Sequence, residues 1–306
     1  MLEDPSFVGM TIQMRNLSCR GTRHPGLSYL YLMPTISQFF TYPIKSLGGV
    51  SLTEAEVTDR GFKYDRRWML VDDQNEFMSQ RSIPNMALLQ VSIRGDGLFV
   101  QHKKTGENVA VPFQPSGETL RIKVWSFEGK AVEVNEQVSA WFSSILNKKC
   151  RLVYMPDTTR RRVDSRYVSN KELTAFTDDF PYLAIGQSSL DHLNSKLEIP
   201  VPIDRFRPNV VFTGATPYEE DEWAHFTINQ LNFFGSKLCG RCTVTTINQQ
   251  EGVQGKEPLR TLATYRALNK KIYFGQYLVH DGEGVVRIGD NIQILETKKP
   301  RLPKVS

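Results

Sequence analysis

The sequence predicts a mostly β chain with a few helices, an α+β class in which two β-rich parts are closely linked. Three observations predict it. Short runs rich in β-branched and aromatic residues recur along most of the chain, punctuated by Gly, Asp and Asn. Helical periodicity is confined to a few stretches. A length of 306 residues with 40% hydrophobic content is enough to bury a sizeable core.

From Met33 to about Phe113 the pattern is strand and turn: residues 35–42, 50–57, 67–71, 89–93 and 98–102 read as strands. Asp72-Asp73-Gln74-Asn75 and Gly95-Asp96-Gly97 are hairpin-like connectors. Residues 120–125 and 131–134 form a further strand pair joined around Gly129, so this part reads as an antiparallel sheet or partial barrel. Two helices follow. Val138, Trp141, Phe142, Ile145 and Leu146 fall on one helical face, and 188–197 repeats the pattern through Leu190, Leu193 and Leu197. Between them, 157–170 carries Arg160, Arg161, Arg162 and Arg166, a surface loop that is either solvated or anion-facing. After Pro200, strands are expected at 209–213, 226–234, 243–248, 276–280, 285–288 and 291–295, with Gly289-Asp290 joining the last two. A helix at about 258–267 has Pro258 suited to its first turn. The expected organisation is an extension at 1–32, a first part at 33–155, a second at 156–297 and a polar tail at 298–306.

Bulk properties exclude several classes. The net charge of +5 is spread along the chain, which argues weakly for anionic ligands and does not indicate nucleic acid. Cys19, Cys150, Cys239 and Cys242 make no disulfide framework in a chain of this size, so a reducing compartment is expected. No apolar run reaches the ~18 residues of a membrane span. Residues 1–32 mix Arg15, Arg20 and Arg23 with Glu3 and Asp4 and lack the apolar core of a secretory signal. They read as an extension that adds little to the fold, with a transit peptide as the minor alternative.

Cys239-Gly240-Arg241-Cys242 is the one place where two sulfurs sit close enough to serve a single site. An adjacent Arg lowers a Cys pKa and prepares sulfur as a metal ligand or nucleophile. A buried, incidental Cys pair is the alternative, and spacing alone does not decide between them. Structural zinc takes four protein ligands, and His24, His102, His192, His225 and His280 show no spacing that completes such a set. A thioredoxin-type motif belongs at a strand-to-helix junction, whereas both flanks here read as strands. Three further segments combine a turn or Pro with basic and hydrogen-bonding side chains: Tyr42-Pro43-Ile44-Lys45-Ser46, Tyr64-Asp65-Arg66-Arg67-Trp68 and Arg205-Phe206-Arg207-Pro208-Asn209. Each alone is readable as a basic strand end. Together they supply donors that could surround a phosphate and a polar heterocycle.

With the Cys pair, these segments resemble the MOSC superfamily, the proteins related to the C-terminal domain of molybdenum cofactor sulfurase. The likeness is greatest to the mitochondrial amidoxime-reducing components and their bacterial YcbX-type relatives. It runs from about Pro34 to Leu295 through Tyr-Pro-Ile-Lys-Ser-Leu at 42–47, Phe-Arg-Pro-Asn at 206–209 and Glu-Asp-Glu-Trp at 220–223. It continues through Cys-Gly-Arg-Cys-Thr-Val-Thr-Thr at 239–246, Glu-Pro-Leu-Arg-Thr-Leu at 257–262 and Phe-Gly-Gln-Tyr at 274–277. The resemblance implies a β-barrel-like MOSC N-terminal part packed on a β-barrel MOSC domain.

It also implies a molybdenum cofactor, a pterin whose dithiolene holds the metal, with Cys242 as the protein's metal ligand and catalytic residue and Cys239 as its neighbour. Pyridoxal phosphate is not expected. Cofactor-binding positions carry over as Lys45, Ser46, Arg66, Arg207, Asn209, Arg241 and Tyr277, with Thr177 and Asp178 from the segment before Phe180-Pro181-Tyr182. A thiolate suits a soft, redox-active metal, and Arg forks suit phosphate. Two departures stand out. Gly240 sits where close relatives often have Ser, and Thr177-Asp178-Asp179-Phe180 is less rich in Ser and Thr than the animal version.

The implied activity is reduction of N-hydroxylated compounds (amidoximes, hydroxylamines, N-hydroxylated bases) by removal of oxygen. No Cys follows Cys242, so the C-terminal iron–sulfur domain of many YcbX-type proteins is not expected. Electrons would then come from a separate protein, a flavoprotein reductase or a small heme or iron–sulfur protein. The expected partners are that donor and a small-molecule substrate, without nucleic acid or a membrane span. The expected location is the cytoplasm, as for a bacterial relative, with an organelle as the lesser alternative. The rival reading is a carrier that hands on the cofactor or sulfur without turnover, because fold-level likeness does not separate the two.

Overall fold

A computed structural model describes residues 33–168 and 171–302. The expected extension at 1–32 and the end of the expected tail, 303–306, lie outside the described residues. The start of that tail is docked: Lys298 donates its backbone N–H to Glu222 O at 2.7 Å, and Leu302 is buried.

The chain is mostly strand, as the sequence predicts. In its largest sheet the order is Val50–Leu52, Thr35–Thr41, Val210–Thr213, Tyr182–Gly186, Lys271–Asp281, Leu231–Gly240, Trp223–Ile228 and Ile292–Thr297, with Ala267–Leu268 against the Lys271–Asp281 strand. The sheet curls until its ends meet: Thr35 bridges Asn291, Ile36 N–H donates to Asp290 O at 2.9 Å, and Ile292 N–H donates to Pro34 O at 2.7 Å. Curling removes exposed edges and encloses Phe39, Phe62, Tyr182, Phe226 and Phe233. Phe62 meets Phe39 and Tyr182 edge-on, at 5.4 and 4.9 Å between ring centroids. Each such pair adds about 0.5–1.5 kcal/mol beyond the area it buries. Tyr182–Gly186 and Val210–Thr213 are parallel, joined by the crossover helix Gln187–Asn194.

A four-stranded sheet (Trp68–Val71, Arg151–Tyr154, Phe127–Glu133, Thr119–Val124) and a three-stranded meander (Leu89–Arg94, Gly97–His102, Asn108–Pro112) build the rest of the earlier half. The helix Glu136–Ile145 starts at Asn135, whose Oδ1 accepts from Val138 N–H at 2.8 Å, and it buries Val138 and Phe142. The halves interlock. Thr35–Thr41 and Val50–Leu52 belong to the closed sheet, and Glu54–Thr58 pairs with Gly284–Arg287.

Several sequence expectations are corrected. The run 226–234 is two strands of a hairpin, Trp223–Ile228 and Leu231–Gly240, turning at Asn229 with φ 55°. Cys239 therefore lies within a strand, one residue before its end. The expected strand at 243–248 is a 3-10 turn, Thr243–Thr246. Thr245 and Thr246 hydroxyls donate back to Cys242 O and Thr243 O at 3.0 and 2.7 Å, so β-branched residues that read as strand stabilise a turn. The run 50–57 splits into Val50–Leu52 and Glu54–Thr58 in different sheets. The 119–133 hairpin turns at Trp125 with φ 55°, leaving Gly129 inside a strand. Gly289-Asp290 connects strands that lie in different sheets. The third helix shortens to Leu259–Ala263 because Ala267–Leu268 already pairs with the next strand. Arg161–Arg162, within the stretch expected as loop, pairs with Leu173–Thr174 just beyond it.

Candidate functional site

The segments around Lys45, Arg66, Asp178, Arg207 and Cys242 meet at one cavity of about 110 Å³. Lys45, Ser46, Arg66, Thr177, Asp178, Arg207, Asn209, Arg241, Cys242 and Tyr277 all line it, and none of the sequence-expected positions lies elsewhere. Cys239 and Arg81 line it too.

Its backbone is unusual. Ser46, Arg66 and Arg207 have φ of 67°, 48° and 55°, the left-handed region that L-residues with side chains enter at a cost. Such positions persist where surrounding contacts over-determine them, and they gather at ligand sites. Here the contacts are visible. Arg66 Nη1 donates to Asp65 Oδ2 at 2.6 Å and to Asn209 Oδ1 at 3.0 Å, while Nη2 reaches Arg207 O at 3.3 Å. Arg207 Nη1 donates to Leu47 O at 2.7 Å. Buried Asp65 also accepts from Tyr42 N–H at 2.8 Å and from Asn209 Nδ2 at 3.1 Å, tying three motifs together. Burial pushes Arg207 down to about 10.

Lys45 is buried and donates to Phe176 O at 2.8 Å and Asp178 Oδ1 at 2.6 Å. Burial draws its pKa down to about 8 against the pull of Asp178. Asp178 also accepts from Arg81 Nη2 at 2.5 Å and Trp125 Nε1 at 3.3 Å. Burial alone would raise its carboxyl, but Lys45 and Arg81 outweigh that and hold it well below the ordinary carboxylate range. Thr177 bonds Thr174 through the hydroxyls at 2.6 Å and gives its carbonyl to Arg161.

The two sulfurs differ. Cys239 is buried, accepts from Arg241 Nη1 at 2.9 Å, and has its thiol pKa raised by burial against the Arg241 charge. Cys242 is partly exposed at the cavity, which the Arg81 guanidinium also lines. Arg241 Nη2 donates to Phe206 O at 2.7 Å. Arg207 Nη2 and Arg241 Nε are buried without an acceptor, a situation that costs on the order of 1–3 kcal/mol each unless something fills it. Among the described residues, no three His, Cys, Asp or Glu side chains converge as a metal site, so a structural zinc built on the Cys pair finds no ligand set. The arrangement suits a polar, anionic group held by several cations beside one accessible sulfur.

Sequence reasoning missed two residues. Asp65 lies inside a segment that was singled out, but only the fold reveals it as the shared acceptor. Arg81 stands outside every motif, and nothing in the sequence points to it. No described helix is long and apolar enough to cross a membrane.

Comparison with known proteins identifies the domains of the chain. Residues 33–149 match the MOSC N-terminal beta barrel domain and residues 172–293 match the MOSC domain. Mitochondrial amidoxime-reducing component 1 of Mus musculus is 32% identical over 280 residues, covering 85% of this chain and 82% of that protein. The Homo sapiens counterpart is 30% identical over 279 residues, covering 85% and 83%. Molybdenum cofactor sulfurase of Danio rerio is 28% identical over 298 residues, but the match spans 34% of that longer protein. The chain belongs to the MOSC superfamily, among the relatives of the amidoxime-reducing components.

Proposed function

We propose that the inner cavity binds a molybdenum cofactor and that the protein reduces N-hydroxylated compounds, such as amidoximes, hydroxylamines and N-hydroxylated bases, with electrons from a separate donor protein. The observation that carries this reading is the convergence of Lys45, Arg66, Arg207 and Arg241 on one cavity that also exposes Cys242. The buried, acceptor-less N–H groups of Arg207 and Arg241 support it, because a phosphorylated pterin brings the acceptors they lack.

Arg66, Arg207 and Arg241 would hold the anionic end, with Ser46, Thr177 and Tyr277 along the heterocycle. Asn209 has a more indirect part. Its amide is committed to Phe40 O, Asp65, Arg66 and Leu183 N–H, so it positions Arg66. Cys242 would be the protein ligand to the metal, with the Arg81 guanidinium lining the same cavity. When bound, the cofactor supplies two-electron oxygen-atom transfer, with the protein setting orientation and charge. Overall, an amidoxime loses its N–O bond, and two electrons from the donor with two protons give the amidine and water. Asp178 is unsuited as the proton donor, since Lys45 and Arg81 keep it ionised.

A carrier would need only the inner cavity. A second cavity of about 850 Å³ shares Cys242, Arg81 and Tyr277 with the first, which offers a substrate a place beside the sulfur and favours turnover. The deciding experiment is metal and pterin analysis of protein from a host that makes the cofactor. Molybdenum and pterin near one per chain, with benzamidoxime reduced by a viologen donor, is the expected result. Loaded protein without turnover would favour the carrier, and zinc without pterin would sink both.

A further inference from the structure

The reductase reading describes the reacting end of a substrate and leaves the remainder open. Resting on that reading, we propose that the outer cavity selects planar N-hydroxylated substrates that carry an anionic group, a carboxylate or a phosphate. Five arginines line this cavity against three aspartates, and each aspartate is already engaged. Asp164 accepts Arg166 Nε at 3.0 Å and Nη2 at 2.5 Å. Asp178 serves both Lys45 and Arg81. Asp179 takes Lys237 at 3.1 Å.

Arg161 is buried, and its guanidinium donates to the carbonyl oxygens of Ala175, Thr177 and Asp178 at 2.8, 2.6 and 3.1 Å rather than to a carboxylate. Carbonyl dipoles hold it in place without cancelling its charge. Arg160 is exposed on the same wall. A concave site with excess positive charge and low-dielectric walls focuses potential on whatever enters it.

The walls also offer ring faces. Trp125 is 45% exposed, although its other contacts, with Phe77 at 4.9 Å and the Arg81 guanidinium at 4.8 Å, are those of a packed side chain. Tyr277, half-buried, lies beside Cys242 with its other face stacked at 5.1 Å on the buried Phe180. A planar ring against Trp125 and Tyr277 leaves its far substituent toward the arginines. Concavity, aromatic walls and continuity with Cys242 favour a small molecule here over an acidic protein surface.

The test is steady-state turnover of the cofactor-loaded protein with a viologen donor, using benzamidoxime and its 4-carboxylate, 4-phosphonate and 4-trimethylammonium derivatives. The expected result is kcat/KM about tenfold higher for an anionic derivative than for the cationic one, the increment of a charge-assisted hydrogen bond. The carboxylate and phosphonate arms tell which anion is preferred. Arg160→Glu should erase most of the preference while leaving benzamidoxime itself unchanged. Calorimetric binding of the 4-carboxylate without reductant should show the same loss and should weaken with salt. Equal kcat/KM for all charges, or a preference untouched by Arg160→Glu, overturns the inference. So does an Arg160→Glu effect seen only with a protein donor, which would assign the arginines to docking. If no derivative is turned over, the reductase reading falls and takes this inference with it; turnover without charge preference removes this inference alone.

Discussion

Arg66 and Arg207 face one ring: each guanidinium carbon lies 4.3 Å from the centroid of Tyr42. The aromatic quadrupole stabilises both cations, yet the pair is still two like charges at close quarters, and Arg66 contributes to the lowering of Arg207. Only Arg66 has a carboxylate partner, at Asp65. The folded chain thus holds charge that an anion would relieve.

Inorganic phosphate should therefore stabilise the cofactor-free protein against heat, beyond a chloride control of equal ionic strength. At phosphate about 100 times Kd the gain approaches ~2.7 kcal/mol. Arg207→Ala should abolish the shift, because it removes the buried acceptor-less Nη2. An unchanged shift in that variant would place phosphate elsewhere.

Cys242→Ser should lose molybdenum and activity while part of the pterin stays on the basic anchors. Cys239→Ser should be milder, since Cys239 is buried and its sulfur accepts from Arg241. Replacing it should lower stability by about 1 kcal/mol and leave metal content near that of the unaltered protein. Equal metal loss in both variants would argue for a two-sulfur site.

The site was readable in the sequence to the extent that its residues cluster in short basic segments beside Pro, Gly or Cys. Lys45, Arg66, Arg207 and Arg241 belong to such segments, and the fold brings them together. What those segments conceal is how the side chains are shared between ligand and protein. Asn209 reads as a cofactor donor, yet its amide is committed to backbone groups and Asp65. Arg81 carries no local signal because the carboxylate it pairs with, Asp178, lies far along the chain. The strand-like threonines after Cys242 misled for a related reason. Their hydroxyls bond back to nearby carbonyls, a local competition that β-propensity does not register.

Asp178→Asn should uncouple Lys45 and Arg81 at once. Lys45 and Arg81 lose their shared counter-charge, and Lys45 stays buried without it. The expected loss is about 1–2 kcal/mol in urea unfolding, below the figure for a fully buried pair because the Asp178 side chain is 40% exposed. Unchanged stability would mean that the pair breaks even in the native protein.

Gly240→Ser should fold normally. A side chain there meets only Tyr273 Cε1 at 3.9 Å and Lys271 Cδ at 4.0 Å, ordinary contacts, and the position has no positive φ. If the hydroxyl reaches the bound cofactor, retention of pterin through dialysis should increase. Loss of stability would show that this strand end tolerates only Gly.

Glu220 offers a pH test remote from the cavity. Its buried carboxylate accepts from Gly186 N–H at 3.2 Å and Ser189 Oγ at 2.9 Å, tying the start of the crossover helix to the Glu219–Glu222 turn. Burial first, then the neighbouring charge of Asp221, pushes its pKa up to about 7 from 4.5. Between those values the folded chain keeps a proton that the unfolded chain has released. Stability is then fully present below 4.5 and declines as pH rises through about 7. The slope from one such proton is at most about 1.4 kcal/mol per pH unit. Glu220→Gln keeps the acceptor oxygen for Gly186 and cannot titrate, so its urea midpoint should vary less across this window. Parallel pH dependence in the two proteins would show that Glu220 is ionised in the folded state despite its burial, with the Gly186 and Ser189 donors outweighing desolvation.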